Sequence, residues 1–344
     1  MLPVTDDQAP PLAARLRHLL PPLVRRAGAR FVAARRASDV EHQLAVLARD
    51  GRSIVVGPWI GEVGFELLYW IPFLRWFARR FAVTPERLIA VTRGGAAAWY
   101  APFATRSYDV LAFMSQGEYR QRNADRAGRL GEQKQIASTS VDADIVARIR
   151  AREGDVLTLH PALMYRLFAP YWWGHKTTSW VRAYTEFARM EPPRIAATLP
   201  QHYTAVKFYF NDCFADTPDN RAFVRRTISA LAARGPVISL FTGVRVDDHD
   251  PCEPDVAAMQ DIRHLLTPET NLLVQSAIVG RAERFVGTYG GFAYLAPLCG
   301  VPSVAYYTDP GGFSVRHLDL MREVLRADGH PEWLDVRDAA GGGV

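Results

Sequence analysis

The sequence predicts an α/β protein in which two successive domains, each built on a mainly parallel β-sheet, face each other across a cleft. Short apolar runs typical of buried strands alternate with helical stretches along the chain. A segment with three prolines, 191–203, separates two such series. The length of 344 residues suits two domains of roughly 150 residues each.

The first series begins with a strand at 53–57, a turn that contains glycines, and a helix-like segment over 66–81. A strand, a glycine turn and a helix form the opening of a nucleotide-binding half-domain. Later apolar runs predict further strands at 88–92, 109–113 and 155–160. We interpret the polar run 115–142 as a loop or an exposed helix without chemistry.

The second series starts afresh after the proline segment. It predicts strands at 204–210, 237–241, 284–287 and 303–307, and helices at 220–233, 256–265 and 292–299. Both series therefore look Rossmann-like. We predict an N-terminal arm over 1–50, a first domain over 51–195, a second domain over 196–325 and a tail over 326–344.

The net charge of +5 comes almost entirely from arginine, because the only lysines are Lys134, Lys176 and Lys207. Such a bias is more typical of coding preference than of function, so we predict no nucleic-acid partner. A mild positive charge suits anionic ligands such as nucleotide diphosphates, or an anionic membrane surface.

The cysteines Cys213, Cys252 and Cys299 are far apart and lack the spacing that holds zinc. Acidic residues and prolines precede the first apolar stretch, which is unlike a secretory signal. The longest apolar run, 67–74, is much shorter than the roughly 20 residues of a membrane span. These features predict a cytoplasmic protein with reduced thiols.

The N-terminal segment 10–49 places apolar residues at helical spacing against seven arginines that precede Ala37. Two interpretations remain open. The segment is either a basic amphipathic helix that lies on the inner face of a membrane, or a helical packing arm with a solvated basic face.

The most informative stretch is 284–309, where a buried strand leads into Gly-Thr-Tyr-Gly-Gly and directly into a helix of small residues. Glycines at 287, 290 and 291 allow a ligand to approach the backbone, and the helix start offers unpaired N–H donors. This arrangement predicts a diphosphate site. The alternative is a tight turn that needs its glycines only for packing.

This stretch resembles the donor-side motif of GT-B glycosyltransferases, such as heptosyltransferases and protein O-fucosyltransferase-like enzymes. The matching positions are Thr288, Tyr289, Gly290, Gly291, Leu295, Ala296, Gly300 and Pro302. The resemblance implies that Thr288, Gly290, Gly291 and Phe292 bind the nucleotide's phosphates, and it places Tyr289 among the donor-binding residues. Tyr289 stands where those families usually have a small polar residue. The same likeness implies that Thr242 and Gly243 contact the nucleobase or ribose.

Lys207, near the end of the first strand of the second series, resembles the cation that neutralises the leaving diphosphate in several metal-independent GT-B enzymes. A strand-end lysine that faces solvent is the alternative. The glycine-containing first turn carries Glu62 and Glu66, one helical turn apart where a helix begins. By the GT-B likeness Glu62 is the candidate catalytic base and Glu66 the second candidate. Glu66 could instead pair with the helix dipole.

Two other clusters carry less weight. His160 follows a strand and could line the acceptor side of the cleft, although a structural role is more common for such a histidine. The acidic run Asp247, Asp248, His249 and Asp250 is contiguous, and adjacent ligands rarely close around one ion. We therefore predict no metal.

The resemblance implies a glycosyltransferase that moves a sugar from a nucleotide-sugar donor to a cell-envelope glycan, lipid-linked or polysaccharide acceptor. The donor is a substrate, and no cofactor is implied. A sugar-nucleotide epimerase or hydrolase of the same fold, or a non-catalytic nucleotide-sugar-binding protein, would share these features. Tyr203 and Lys207 also satisfy the Y-x3-K spacing of short-chain dehydrogenases, but they lie in a segment with strand composition rather than on a helix.

Overall fold

The computed structural model describes residues 22–130, 134–243, 250–251 and 259–341. Most strands in this part of the chain belong to two parallel sheets. The strands, numbered in chain order, are β1 (Ile54–Val56), β2 (Leu88–Thr92), β3 (Arg106–Asp109), β4 (Leu157–Leu159), β5 (Thr204–Lys207), β6 (Tyr209–Phe210), β7 (Val237–Ser239), β8 (Asp250–Pro251), β9 (Met259–Asp261), β10 (Arg284–Thr288), β11 (Ser303–Tyr307) and β12 (Leu334–Asp338).

Helices cover the faces of both sheets. One of them, α2, is a run of three helical segments, Val63–Phe65, Glu66–Trp70 and Ile71–Arg80, of which the middle one is a π-helical turn. The others are α1 (Pro22–Arg49), α3 (Gln116–Leu130), α4 (Ser140–Glu153), α5 (Ala162–Trp172), α6 (Thr178–Arg182), α7 (Pro218–Ala232), α8 (Asn271–Val279), α9 (Gly291–Leu298) and α10 (Val315–Ala327).

The first sheet has the strand order β3-β2-β1-β4, and all of its strands are parallel. Every residue of β1 and β2 is buried. This explains why these strands are continuous apolar runs in the sequence, since a strand of a parallel sheet is covered by helices on both faces.

The second sheet has the order β12-β11-β10-β5-β7-β9 and is also parallel throughout. Read from β9, this is the 3-2-1-4-5-6 order of a Rossmann fold, and the first sheet has the 3-2-1-4 part of it. The predicted pair of Rossmann-like halves is confirmed. In such sheets ligands bind at the carboxyl ends of the strands where the order reverses, which here means beside β1 and beside β5 and β10.

Three sequence predictions differ from the structure. The strand predicted at 109–113 lies earlier, as β3, and is followed by a 3₁₀ turn. The helix predicted at 256–265 is wrong in its described part, which forms β9 and another 3₁₀ turn. The predicted tail contributes β12 to the edge of the second sheet. All three are edge strands with partly exposed residues, so they lack the apolar signal of a buried strand.

The arm helix α1 packs against α5. Its buried residues recur at helical spacing and are Ala33, Ala37, Val40 and Leu44. One face of α1 therefore packs on the protein, over the residues whose side chains are described. None of the helices in the described part of the chain combines the length and the apolar character that a membrane-crossing segment needs.

The two domains contact each other beside the carboxyl end of β2. The Gly94 carbonyl oxygen accepts a hydrogen bond from the Leu272 N–H at 2.6 Å, where α8 begins. The Trp99 indole N–H donates to Ser276 Oγ at 2.9 Å. A Cβ atom at Gly95, whose φ is +79°, would lie 2.7 Å from the Leu273 side chain. Glycine therefore permits this close approach of the first domain to α8.

Candidate functional site

A cavity of about 310 Å³ lies between the two domains, at the carboxyl ends of β1, β5 and β10. Both domains line it. The polar groups and glycines of its wall include Gly61, Glu62, Gly64, Arg93, Asn123 and Arg126 from the first domain and Lys207, Asn211, Thr242, Asn271, Gln275, Gly290, Gly291 and His317 from the second. This is the position that the topology of two Rossmann-like sheets predicts for a ligand.

Two helix starts meet in this cavity. Helix α2 begins at Val63 and α9 begins at Gly291. A Cβ atom at Gly291 would lie only 2.8 Å from the Gly64 nitrogen and 2.9 Å from Val63 Cγ1, so glycine is required for the two backbones to approach. The first N–H groups of a helix have no partner inside the helix and carry its positive dipole end. Two such ends together favour an anion.

Other glycines of the predicted phosphate turn serve close packing as well. A Cβ atom at Gly287 would overlap the Lys207 carbonyl oxygen on the neighbouring strand. A Cβ atom at Gly290 would overlap the Tyr209 hydroxyl. Close packing therefore accounts for all three glycines, but only Gly290 and Gly291 are partly exposed and also line the cavity.

Lys207 ends β5 and lines the cavity. Its Nζ atom lies 3.9 Å from the centre of the Phe292 ring, directly over the first turn of α9. It donates a hydrogen bond of 2.5 Å to Gln275 Oε1, and Gln275 donates in turn to Asn271 Oδ1 at 2.7 Å. The partly buried ammonium is thus held beside the helix start, in the cavity wall.

The Y-x3-K pair of the dehydrogenase alternative is not on a helix. Lys207 is a strand residue, and the Tyr203 hydroxyl is used by the core, where it donates to the Ile278 carbonyl at 2.7 Å. The two side chains therefore do not form the helical pair that this chemistry needs.

Glu62 occupies the residue before α2 and lines the cavity. It stands at the N-cap position, but its carboxylate makes no capping hydrogen bond. Among the cavity-lining residues in the described part of the chain, it is the sole carboxylic acid. Its position is therefore compatible with contact to a ligand.

Glu66, the second candidate base, is completely buried and does not line the cavity. Its Oε1 atom accepts hydrogen bonds from Thr92 Oγ1 at 2.9 Å and from the Tyr100 hydroxyl at 2.6 Å. Its Oε2 atom accepts from the Arg93 guanidinium at 2.7 Å. A carboxylate that is held by three donors inside the core cannot reach a substrate, so this placement argues against the catalytic prediction.

Arg93 connects this buried pair to the turn that carries Glu62. Its second terminal nitrogen donates to the Gly61 carbonyl oxygen at 2.5 Å. Burial alone lowers the pKa of the Arg93 guanidinium, but the Glu66 carboxylate more than reverses this and raises that pKa above its ordinary value. Burial raises the pKa of the Glu66 carboxyl, and the Arg93 charge opposes that rise. The Arg93 guanidinium stays charged, and its bond to Gly61 fixes the backbone next to Glu62.

Gln135 supports the same turn from the other side. Its Oε1 atom accepts from the Ile60 N–H at 3.0 Å, and its amide donates to the Pro58 carbonyl at 2.8 Å. The side chain is fully buried. The turn before Glu62 is thus held by two buried polar side chains, Gln135 and Arg93.

Thr288 does not line the cavity, which differs from the phosphate role implied for it. It is fully buried, and its hydroxyl donates to the Tyr209 carbonyl at 2.8 Å and accepts from the Tyr209 N–H at 3.1 Å. Its side chain therefore fastens β6 to β10. Tyr289 does line the cavity, but it is 4% exposed and its hydroxyl bonds that of Tyr294.

Of the two residues predicted to contact the nucleoside, Thr242 and Gly243, only Thr242 lines the cavity. Thr242 lines the cavity together with Phe241, beyond the end of β7. Gly243 is exposed, has a φ of +68° and is not part of the cavity wall. Asp247, Asp248, His249 and Cys252 lie outside the described residues.

His160 does not line the cavity. Its Nδ1 atom accepts from the Ala162 N–H at 3.1 Å, and its Nε2 atom lies 3.3 Å from Asp142 Oδ1. These contacts give it a structural role beneath the turn that Gln135 holds. Within the described part of the chain no group of three or more His, Cys, Asp or Glu residues is arranged to hold a metal ion.

Several polar residues of the cavity wall were not among the predicted site residues, including Asn271 and Gln275 of α8. Helix α3, which was considered free of chemistry, contributes Tyr119, Asn123 and Arg126. The guanidinium of Arg126 is 2% exposed and donates to Asn123 Oδ1 at 3.0 and 2.8 Å. The spacing of these three residues, four and then three positions apart, is a helical face that could have signalled them. His317, on α10, also lines the cavity and was not predicted.

No protein-family model matches the sequence, and no curated protein matches it. Solved structures that resemble the fold include the iron-containing dodecameric glycosyltransferase TibC from enterotoxigenic E. coli, with 10% identity, a TM-score of 0.42, and coverage of 74% of this chain and 58% of that one. The chain thus spans less than two thirds of TibC.

Two further matches cover more of both chains. E. coli heptosyltransferase WaaC with ADP has 13% identity and a TM-score of 0.45, over 83% of this chain and 93% of that one. A family 9 glycosyl transferase from Veillonella parvula has 12% identity and a TM-score of 0.42, over 84% and 86%. Likeness at this level transfers no activity or substrate. The arrangement of two Rossmann-like domains around a cleft, established by the strand orders, is the GT-B type of fold.

Proposed function

We propose that this chain is a glycosyltransferase that moves a sugar from a nucleotide-sugar donor to a cell-envelope glycan, lipid-linked or polysaccharide acceptor, without a metal ion. One observation carries the proposal. The starts of α2 and α9 meet in a cavity between two Rossmann-like domains, with Lys207 on one side and Glu62 on the other. This arrangement combines an anion site with a carboxylate beside it.

The second domain would bind the donor. The amides at Gly290, Gly291 and Phe292 begin α9, and their positive dipole end suits a diphosphate. Lys207, whose Nζ atom lies over Phe292, would neutralise the charge that grows on the leaving diphosphate. Thr242, beyond the end of β7, would contact the nucleoside.

The first domain would hold the acceptor. Glu62 would remove the proton from the acceptor hydroxyl as that oxygen attacks the sugar. The carboxylate accepts the proton, the new glycosidic bond forms, and the bond from the sugar to the diphosphate breaks. Glu66 and Arg93 would not touch the substrates; they would keep the Gly61 backbone in place.

Amides and an ammonium can stabilise a departing diphosphate without a divalent ion. Contacts that strengthen as negative charge moves onto the diphosphate stabilise the transition state and lower the activation barrier. Contacts that are equally strong in the bound substrate and in the transition state do not lower it. The position of Lys207 beside the start of α9 supports a role for the ammonium and the helix amides in stabilising the departing diphosphate.

We further infer that the N-terminal arm brings the protein to the inner face of a membrane, where a lipid-linked acceptor would be met. Trp173, which is 61% exposed, lies beside α1 with the Arg36 guanidinium 5.4 Å from its ring centre. An exposed tryptophan beside arginines suits the interface of an anionic bilayer. Co-sedimentation with vesicles that contain anionic lipid, compared with neutral vesicles, tests this inference.

Calorimetric titration of the full chain with nucleosides, nucleoside monophosphates, nucleoside diphosphates and nucleotide sugars tests the donor site. We expect affinity to rise sharply when the second phosphate is present, in the absence of added metal and with a chelator. Equal affinity for nucleosides and diphosphates would contradict the proposal.

Product analysis then separates the three candidate activities. A transferase forms product only when an acceptor is supplied, a hydrolase releases free sugar from the donor alone, and an epimerase returns an isomeric donor. A non-catalytic binding protein gains thermal stability with the ligand and forms no product.

A further inference from the structure

His317 is a residue of the cavity wall to which no role has been given so far. It lies in the first turn of α10, in the second domain, but its ring packs on the first domain. Its centre is 4.9 Å from that of Phe65 in an edge-on contact, and its Nδ1 atom is 2.6 Å from the Tyr69 hydroxyl oxygen. His317 thus joins the two domains at the cavity.

The environment of Tyr69 determines which ring nitrogen of His317 carries the proton. Tyr69 is completely buried, and burial raises the pKa of its hydroxyl well above the ordinary value, so the hydroxyl keeps its proton. Among the described residues, His317 Nδ1 lies within hydrogen-bonding distance of this hydroxyl and can accept its proton. The neighbouring Trp172, whose ring is edge-on at 5.1 Å, can only donate.

A buried hydroxyl without an acceptor is costly, so Tyr69 donates and His317 Nδ1 accepts. The neutral ring must then carry its proton on Nε2. Burial, followed by the charge of Lys134, lowers the pKa of His317 to about 4, which keeps the ring neutral near pH 7. His317 is therefore an N–H donor without a charge.

The location of this donor is close to the meeting point of the helix starts. Phe65, on which the ring packs, is the next residue after Gly64, and a Cβ atom at Gly64 would lie 3.5 Å from Gly291 Cα. Ser314 and Phe313, just before α10, line the same cavity as Gly290 and Gly291. The His317 ring lines this same cavity and its Nδ1 atom is engaged by Tyr69, so Nε2 is the ring nitrogen left for a ligand at these helix starts.

We propose that His317 donates a hydrogen bond from Nε2 to an oxygen atom of the sugar nucleotide, and that Tyr69 is the positioning residue that fixes this tautomer. The inference rests on the proposed function, because it takes the sugar nucleotide as the ligand. A neutral donor can serve a sugar hydroxyl or a phosphoryl oxygen, and both are oxygen acceptors of the same ligand.

The substitution His317→Phe keeps an aromatic ring in the contact with Phe65 and removes the donor. We expect nucleotide-sugar affinity to fall about 3- to 10-fold, the effect of one neutral hydrogen bond. His317→Gln, which retains an N–H donor, should recover part of that loss. The matched control is His330→Phe, because His330 stacks on Trp333 outside the cavity wall.

Titration with the nucleoside diphosphate alone locates the oxygen. If the diphosphate also loses affinity in His317→Phe, the bond goes to a phosphate; if only the nucleotide sugar does, it goes to the sugar. His317→Phe also leaves the Tyr69 hydroxyl without its acceptor, so a lower melting temperature is expected. Unchanged affinity for both ligands, in a variant that is folded at the assay temperature, overturns the His317 proposal. If the wild type binds neither ligand, the proposed function fails and this inference fails with it.

The role of Tyr69 has its own readout, which a merely structural residue would not change. Long-range ¹H–¹⁵N spectra of the wild type should show the His317 ring with its proton on Nε2. Tyr69→Phe should give a mixture of both tautomers while the fold is retained. A wild-type ring protonated on Nδ1 overturns the proposal.

Discussion

The two helix starts that meet in the cleft have the same local architecture and opposite chemistry. Each follows a buried parallel strand and a turn with glycines. The start of α9 has no acidic residue in its first turn and has Lys207 above it. The start of α2 is preceded by Glu62, and Glu66 is buried one turn later.

Under the proposed function, this difference would let one supersecondary unit serve two roles. Where no carboxylate is present, the helix dipole and a lysine leave an anion site. Where a carboxylate precedes the helix, the same dipole favours its ionised form, which is the form a base needs. The proposed donor and acceptor sides would thus differ by a few side chains placed on similar backbones.

The largest effect is expected from removing the carboxylate on the α2 side. Glu62→Gln should lower the rate of transfer by about 10²- to 10⁴-fold, because a positioned base contributes that much. Donor affinity should stay close to that of the wild type. Rates at saturating donor, together with calorimetric affinities, measure both quantities.

The control for this change is Glu332→Gln, since the Glu332 side chain is 66% exposed and lies outside the cavity wall. Retained turnover in Glu62→Gln would remove Glu62 from the mechanism and leave the α2 start without a chemical role.

The buried ion pair of Glu66 and Arg93, next to the start of α2, should matter mainly for the stability of the fold. Glu66→Ala should lower the free energy of unfolding by about 3–5 kcal/mol, because it leaves the Arg93 guanidinium buried without its carboxylate. Adding Arg93→Met should restore part of that loss. Urea unfolding of the single and double variants provides the measurement, and a single variant that is as stable as the wild type would refute the structural role of Glu66.

On the α9 side, Lys207→Met should lower the transfer rate by about 10²- to 10³-fold, as for other groups that stabilise developing charge. It should also weaken binding of nucleoside diphosphates more than binding of nucleosides. Lys176→Met is the matched control, because the Lys176 ammonium lies 4.3 Å from the Trp180 ring centre and not in the cavity wall. Equal losses in both variants would contradict a specific role for Lys207.

The smallest effect is expected from disturbing the packing of the glycine turn at Gly290. Gly290→Ala should cost about 1–3 kcal/mol of unfolding free energy, since its Cβ atom would overlap the Tyr209 hydroxyl. Adding Tyr209→Phe removes that oxygen and should recover much of the loss. Gly117→Ala, in open space on α3, serves as the control and should not destabilise. If Gly290→Ala is neutral, the turn is shaped for the ligand alone.

The sequence predicted the strands that are buried on both faces and missed what depends on long-range contacts. Strands β2 and β11 have the predicted bounds because their apolar runs are unbroken. The edge strand β9 was predicted as a helix, since half-exposed residues carry little pattern.

The site residues that depend on long-range contacts could likewise not be predicted from the sequence. The sequence ranks Glu62 above Glu66 as the candidate base, but it cannot show that Thr92, Arg93 and Tyr100 hold Glu66 in the core. His317 could not be found at all, because its partner Tyr69 is 248 positions away. Local pattern identifies the turn that forms a helix start, whereas tertiary contacts decide which of its side chains face the ligand.

Glycine-selective ¹⁵N labelling of the full chain, observed during titration with nucleoside diphosphates, would show whether the amides at the start of α9 hold the phosphates. We expect the signals of Gly290 and Gly291 to shift strongly, while those of Gly51, Gly154 and Gly329, which have open space around them, stay in place. Unshifted Gly290 and Gly291 signals at saturating ligand would show that the phosphates bind elsewhere, or that no such ligand binds.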